Sequence, residues 1–239
     1  ATSVTPSRHY ADYIMRNRKE LDAHPASTNV GGISYDLVNN TRCDNPLNGG
    51  RFTDAFGRQT SKLLVMDLRA FTLRSLRLSR QFGYITMLHS HSFYNPAVDG
   101  FGDIWFPGEQ YCAEIQKTGN PYYYTDSIPE DVYRSELNMH LKGSAIRFLG
   151  NLGRASKAMG TPEQTRAMCT PLLLNDVPIA IAFEDGATIN RIWKIQSDYQ
   201  LDDAIVTYFY DKANPVAVDS EQIKATFYRC PGDRVLLIL

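Results

Sequence analysis

The sequence predicts an α+β protein of the α/β-like kind, a mixed sheet flanked by helices with a β-rich C-terminal part. Three observations predict it. Apolar residues recur at helical spacing near the N-terminus, the run Tyr84–Leu88 reads as a central strand without breakers, and β-type runs dominate from Leu172 onward. With 239 residues, 43% hydrophobic and 21% charged, the apolar mass suffices for one large domain or two small ones.

Each element follows from local signals. Ser7 caps a first helix with apolar positions at Tyr10, Tyr13, Ile14 and Leu21, ending before His24-Pro25. Val30–Leu37, with Gly31-Gly32 at its start, reads as a strand, and Asn39–Arg58 as a long polar loop. Lys62–Arg80 opens on Leu64-Val65-Met66, which reads as a buried strand, and continues as a helix. Gln110–Lys117 is expected to be a short helix stopped by Gly119, and Pro121–Thr125 a Tyr-rich strand. Met139–Met159 carries helical spacing broken by Gly143, Gly150 and Gly153, which predicts a weak or interrupted helix. Thr161-Pro162-Glu163 starts a short helix reaching Cys169. The expected β runs after it are Val177–Phe183, Ile189–Ile195, Ala204–Tyr210 and Ile223–Leu239, the last turning at Pro231-Gly232.

Composition excludes several function classes. Twenty-five Lys and Arg against 26 Asp and Glu give a net charge of -1, so no overall basic footprint for nucleic acid or an anionic membrane exists. Runs such as Pro171–Leu174 and Val235–Leu239 fall far short of a membrane span, which needs roughly 20 apolar residues. No signal-peptide pattern opens the chain, and a start at Ala1 without Met is expected of a trimmed or excised fragment. Cys43, Cys112, Cys169 and Cys230 include no C-x-x-C pair, so they read as buried thiols, with disulfides an alternative for an exported protein. Cys112 as a nucleophile has no readable activating environment, and His9, His24 and His140 are scattered.

Chemistry concentrates at His89-Ser90-His91, at the C-terminal end of the Tyr84–Leu88 strand. Two histidines one residue apart converge on one metal where the chain leaves regular pleating and Ser90 turns away. A third oxygen ligand then makes an open zinc site, which yields a nucleophile at neutral pH.

The ordered set Met87–Pro96, Phe106-Pro107-Gly108-Glu109 and Gly119–Tyr124 resembles the JAB/MPN/JAMM metalloprotease-like domains of bacterial polymorphic-toxin and Rhs-type proteins. Those domains carry a strand, H-T-H, a Tyr/Pro loop, F-S-P-x-D opening a helix, and G-x-P-x-Y-L. Asn29–Tyr35 is similar to their E-x-G-G-x-I strand, and Val132-Tyr133-Arg134 resembles their closing strand. The resemblance covers about residues 7–135, which implies a JAB/MPN-like domain over 1–135 and a C-terminal α+β region of unknown role over 136–239.

The resemblance implies zinc held by His89, His91 and Glu109, with Asn29, Ser90 and Asp103 as catalytic candidates. It also implies hydrolysis of peptide or isopeptide bonds in a protein substrate, by a toxin or effector secreted or delivered by bacteria. The alternative ligand is Asp103, leaving Glu109 as base; Glu109 is preferred because its spacing to Gly119 suits the short helix. Asn29 replaces the general-base Glu and Phe106 the oxyanion Ser. Loss of a general base costs a factor of about 10² to 10⁴, and loss of an oxyanion donor about as much again. Hence an inactive JAB-like module, recognising a protein through a groove around Asn39–Arg58, is the alternative function. A structural β-rich protein without a metal site is the second alternative.

Overall fold

The computed structural model describes residues 8–24, 30–36, 38–39, 41–46, 49–91, 93–138, 143–220 and 222–239. The fold is α+β, with a parallel sheet flanked by helices and antiparallel strands in the C-terminal part. Two compact units are distinguished, Ala1–Phe106 with Lys142–Ala145, and Pro107–Leu141 with Ile146–Leu239.

The first unit opens with α1 (Arg8–Asp22) and β1 (Gly32–Tyr35). The cap expected at Ser7 lies outside the described residues. The segment expected to be a polar loop forms much of a three-stranded antiparallel sheet, β2 (Arg42–Cys43), β3 (Arg51–Thr53) and β4 (Gln59–Leu63), in the order β2-β4-β3. Its polar residues build the β3–β4 turn. The Asp54 carboxylate accepts the N–H groups of Phe56 and Arg58, each at 2.9 Å, and the Arg58 bond chiefly holds its pKa below the usual carboxylate value.

A 17-residue helix, α2 (Val65–Gln81), follows. It absorbs the strand expected at Leu64-Val65-Met66, because Leu64 and Leu68 are buried one turn apart while Met66 is 66% exposed. Arg18 of α1 is the polar bolt between the two helices. Its guanidinium reaches Ser75 Oγ and Ser79 Oγ at 2.7 Å, Tyr35 Oη at 2.8 Å and Asp22 at 3.2 Å, so this buried charge is fully partnered. Beside it Ala11, Met15, Phe71 and Leu78 form an apolar cluster.

The parallel sheet runs β1-β5-β6-β7, with β5 (Ile85–His89), β6 (Ile104–Phe106) and β7 (Ala145–Ile146). As its apolar run predicted, β5 is central, pairing with β1 at Leu88↔Tyr35 and with β6 at His89↔Phe106. Where a broken helix was expected within Met139–Met159, two short strands over 145–146 and 148–149 precede a single helical turn over 152–155; residues 139–142 lie outside the described ones.

The second unit carries α3 (Cys112–Thr118), stopped by Gly119 in the left-handed conformation at φ 64, as expected. α4 (Tyr123–Asp126) occupies the expected Tyr-rich strand. Asn120 Oδ1 accepts the Tyr122 N–H at 2.9 Å and turns the chain, and Tyr124 is buried edge-on to Phe148, 5.6 Å between centroids. The expected closing strand at Val132-Tyr133-Arg134 is also helical, in α5 (Glu130–Val132) and a π-helical turn over Tyr133–Leu137.

β8 (Phe148–Leu149) pairs in parallel with β9 (Ile179–Ala180), the only strand in the β run expected over Val177–Phe183, with α6 (Leu152–Ala155) and α7 (Pro162–Leu174) between them. The Thr161–Gln164 capping box starts α7, which runs past Cys169 because Leu172 and Leu174 are also buried. The strand expected at Ile189–Ile195 is the middle of α8 (Gly186–Asp198), set off by the Asp185 side chain accepting the Thr188 N–H at 2.7 Å. The chain ends, within the expected β runs, in β10 (Ile205–Thr207), β11 (Thr226–Cys230) and β12 (Arg234–Ile238), which pair antiparallel. All four cysteines are free thiols; Cys43, Cys169 and Cys230 are buried and Cys112 half-buried.

Candidate metal centre

The C-terminal end of β5 gathers polar groups from three stretches of chain. The apolar run Tyr84–Leu88 buries the strand and delivers His89, 8% exposed, at its last position. There the chain breaks from the sheet. The His89 carbonyl accepts the Val38 N–H at 2.8 Å, and Asn39 Oδ1 accepts the His91 N–H at 2.7 Å. This turn brings the two imidazoles to 5.0 Å between centroids, tilted by 58°, with the Phe106 ring 5.2 Å from His89.

Asp36, directly after β1, meets His89 Nδ1 through its Oδ1. With the proton on Nδ1 donated to this carboxylate, the lone pair of a neutral imidazole lies on Nε2. A carboxylate behind a histidine in this way orients the ring toward a metal.

Glu109 comes shortly after β6, so the Phe106↔His89 register and the chain itself bring it to the end of β5. Its placement depends on Gly108, which has φ 129 and would carry a Cβ 2.0 Å from the Leu149 carbonyl oxygen. No side chain fits there. Glu109 is 7% exposed and pairs through Oε1 with Arg154. A carboxylate has a second oxygen, so this pair is compatible with ligation through Oε2.

One ligand atom from each of His89, His91 and Glu109 lies within 4.8 Å of the others. A tetrahedral ion with bonds of about 2.1 Å separates its ligands by about 3.4 Å, so small side-chain rotations close the set. Two imidazole nitrogens and one carboxylate oxygen are a donor set suited to zinc that leaves a fourth position open. The residues present fit a divalent metal.

The other expected site residues fall elsewhere. Asp103, at the start of β6, pairs with Arg80 and accepts the Thr86 N–H at 2.8 Å. Thr86 precedes His89 by three positions on β5, about 10 Å along the strand, and Asp103 is not among the three donors that converge. Ser90 is fully buried, with Oγ 3.5 Å from Asn39 Oδ1 in the turn between the two histidines. Asn29 lies outside the described residues. Burial raises the Cys112 thiol above its ordinary pKa, the wrong direction for a nucleophile.

Asp36, Asn39 and Arg154 were not singled out by the sequence. The available signal for Asp36 was an acidic residue immediately after a strand able to pair with the histidine strand. No family model, curated protein or solved structure matches the chain.

Proposed function

We propose that this protein is a metal-dependent hydrolase of peptide or isopeptide bonds, with zinc held by His89, His91 and Glu109. The convergence of the three donors within 4.8 Å at a strand end carries the reading. A zinc ion in such an open site supplies Lewis acidity and a nucleophile at neutral pH. Asp36 holds the His89 ring and its tautomer, Asn39 holds the turn that presents His91, and Arg154 balances the buried Glu109 charge. Phe106 supplies an apolar wall beside His89. The resemblance to JAB/MPN domains adds the bond class and delivery as a bacterial toxin or effector.

A second reading is favoured by a specific observation. Phe106, with no hydrogen-bond donor on its side chain, occupies the position where the JAB/MPN pattern carries an oxyanion Ser, and Asn29 the position of its general base. In this reading the fold keeps its metal and recognises a protein without turning it over.

The test is metal content after chelator-free purification, followed by cleavage of peptide and isopeptide-linked probes. About one zinc per chain, absent from His89→Ala/His91→Ala, is expected; no bound metal in the parent protein overturns both readings. Metal without hydrolysis selects the second, and hydrolysis gained by Asn29→Glu would show why.

A further inference from the structure

The first unit carries a groove lined by none of the metal-centre residues. It runs between α1 and α2 and encloses about 410 Å³. Each helix contributes one face at i, i+3, i+4 and i+7 spacing, Asp12, Met15, Arg16 and Lys19 from α1, and Arg74, Arg77, Leu78 and Gln81 from α2. Met15 and Leu78, both 8% exposed, form an apolar floor. The rim carries four cations and one carboxylate.

Only part of that charge is balanced within the molecule. Asp12 pairs with Arg74 at 2.6 Å and Glu20 with Arg16 at 3.2 Å. Lys19 and Arg77, one on each wall and both exposed, have no carboxylate partner among the described residues. Arg18 shows the contrast. Lys19 beside it faces solvent, but the Arg18 guanidinium is buried and bonded to Ser75 and Ser79 of α2, which locks the two walls together. The groove is therefore preformed, held by Arg18 and by the Asp12–Arg74 pair, and Lys19 and Arg77 take no part in joining the helices.

We propose that this groove docks an acidic amphipathic segment of a protein partner. Apolar side chains of that segment would meet Met15 and Leu78 while its Asp and Glu residues meet Lys19 and Arg77, the helix-in-groove mode of recognition. Charge complementarity selects an anionic partner in a chain whose net charge is only -1. The lining selects protein over nucleic acid, because none of the groove residues is aromatic and single-stranded nucleic acid is held largely by base stacking.

The experiment titrates the full chain into a fluorescein-labelled amphipathic peptide of about 20 residues, Leu on one face and Glu on the other, read by anisotropy. Its Lys-substituted counterpart and an oligo-dT of similar length serve as competitors. Binding of the acidic peptide is expected, weakening from about 50 to about 300 mM salt and by about tenfold or more in Lys19→Glu/Arg77→Glu. Both substitutions are at exposed positions, and circular dichroism verifies that the variant is folded. No binding, binding unchanged in the variant, or tighter binding of the oligonucleotide with the same residue dependence would overturn the proposal.

Discussion

Two carboxylates stand at opposite ends of one short strand, and they have different work. Asp103, ahead of β6, is stitched to the sheet by the Thr86 N–H and to α2 by Arg80, and its side chain is 22% exposed. Glu109, beyond β6, is 7% exposed and converges with two imidazoles. The difference teaches that residue type and local loop context do not distinguish an acid spent on the backbone from one that converges on imidazoles in this chain. Strand direction does. In a parallel sheet the C-terminal strand ends open onto loops where side chains converge, as at β5, whereas Asp103 lies level with the interior of β5 and is used up in backbone satisfaction.

The sharpest way to break that comparison is to remove its C-terminal half. His89→Ala/His91→Ala should abolish stoichiometric metal binding, read by elemental analysis. Glu109→Gln should weaken binding by more than about a hundredfold, since even groups that merely support a ligand cost 10- to 100-fold; isothermal titration with zinc measures it. An unchanged affinity would leave Glu109 as the partner of Arg154 and nothing more. Asp36→Asn should cost about tenfold to a hundredfold in affinity. It should also redistribute the His89 tautomers seen in nitrogen-15 spectra of the metal-free protein, a signal that survives even if no metal is ever bound.

How much of this was legible follows from how local each feature is. The run Tyr84–Leu88 reads as a strand and forms one, so His89 at a strand end was readable, and the spacing from Glu109 to the Gly119 helix stop favoured Glu109 over Asp103. Asp36 and Asn39 were not readable, because only the Tyr35↔Leu88 pairing brings them to His89 and Ser90, and that register is a long-range fact. The misread segments share one cause. Ile189–Ile195, Tyr122–Tyr124 and Leu64–Met66 are short apolar runs whose strand or helix fate is decided by neighbours, here the Asp185 cap, the Asn120 turn and the i,i+4 burial of Leu64 and Leu68.

The smallest expected effect on the metal comes from the other end of β6, and it tests the structural half of the comparison. Asp103→Ala removes the acceptor of the Thr86 N–H, and Thr86 is fully buried, so a backbone donor is left without its partner at a cost of about 1–3 kcal/mol. The Arg80 pair adds little, because Arg80 is 59% exposed and exposed pairs contribute about 0–1 kcal/mol. Urea unfolding should therefore show a lower midpoint with an unchanged slope, while zinc affinity stays within about threefold of the parent under conditions where the variant is folded. A variant that keeps its stability and loses its metal would reverse the assignment of the two acids. Lost stability with metal binding intact would establish that β6 carries structure at one end and chemistry at the other.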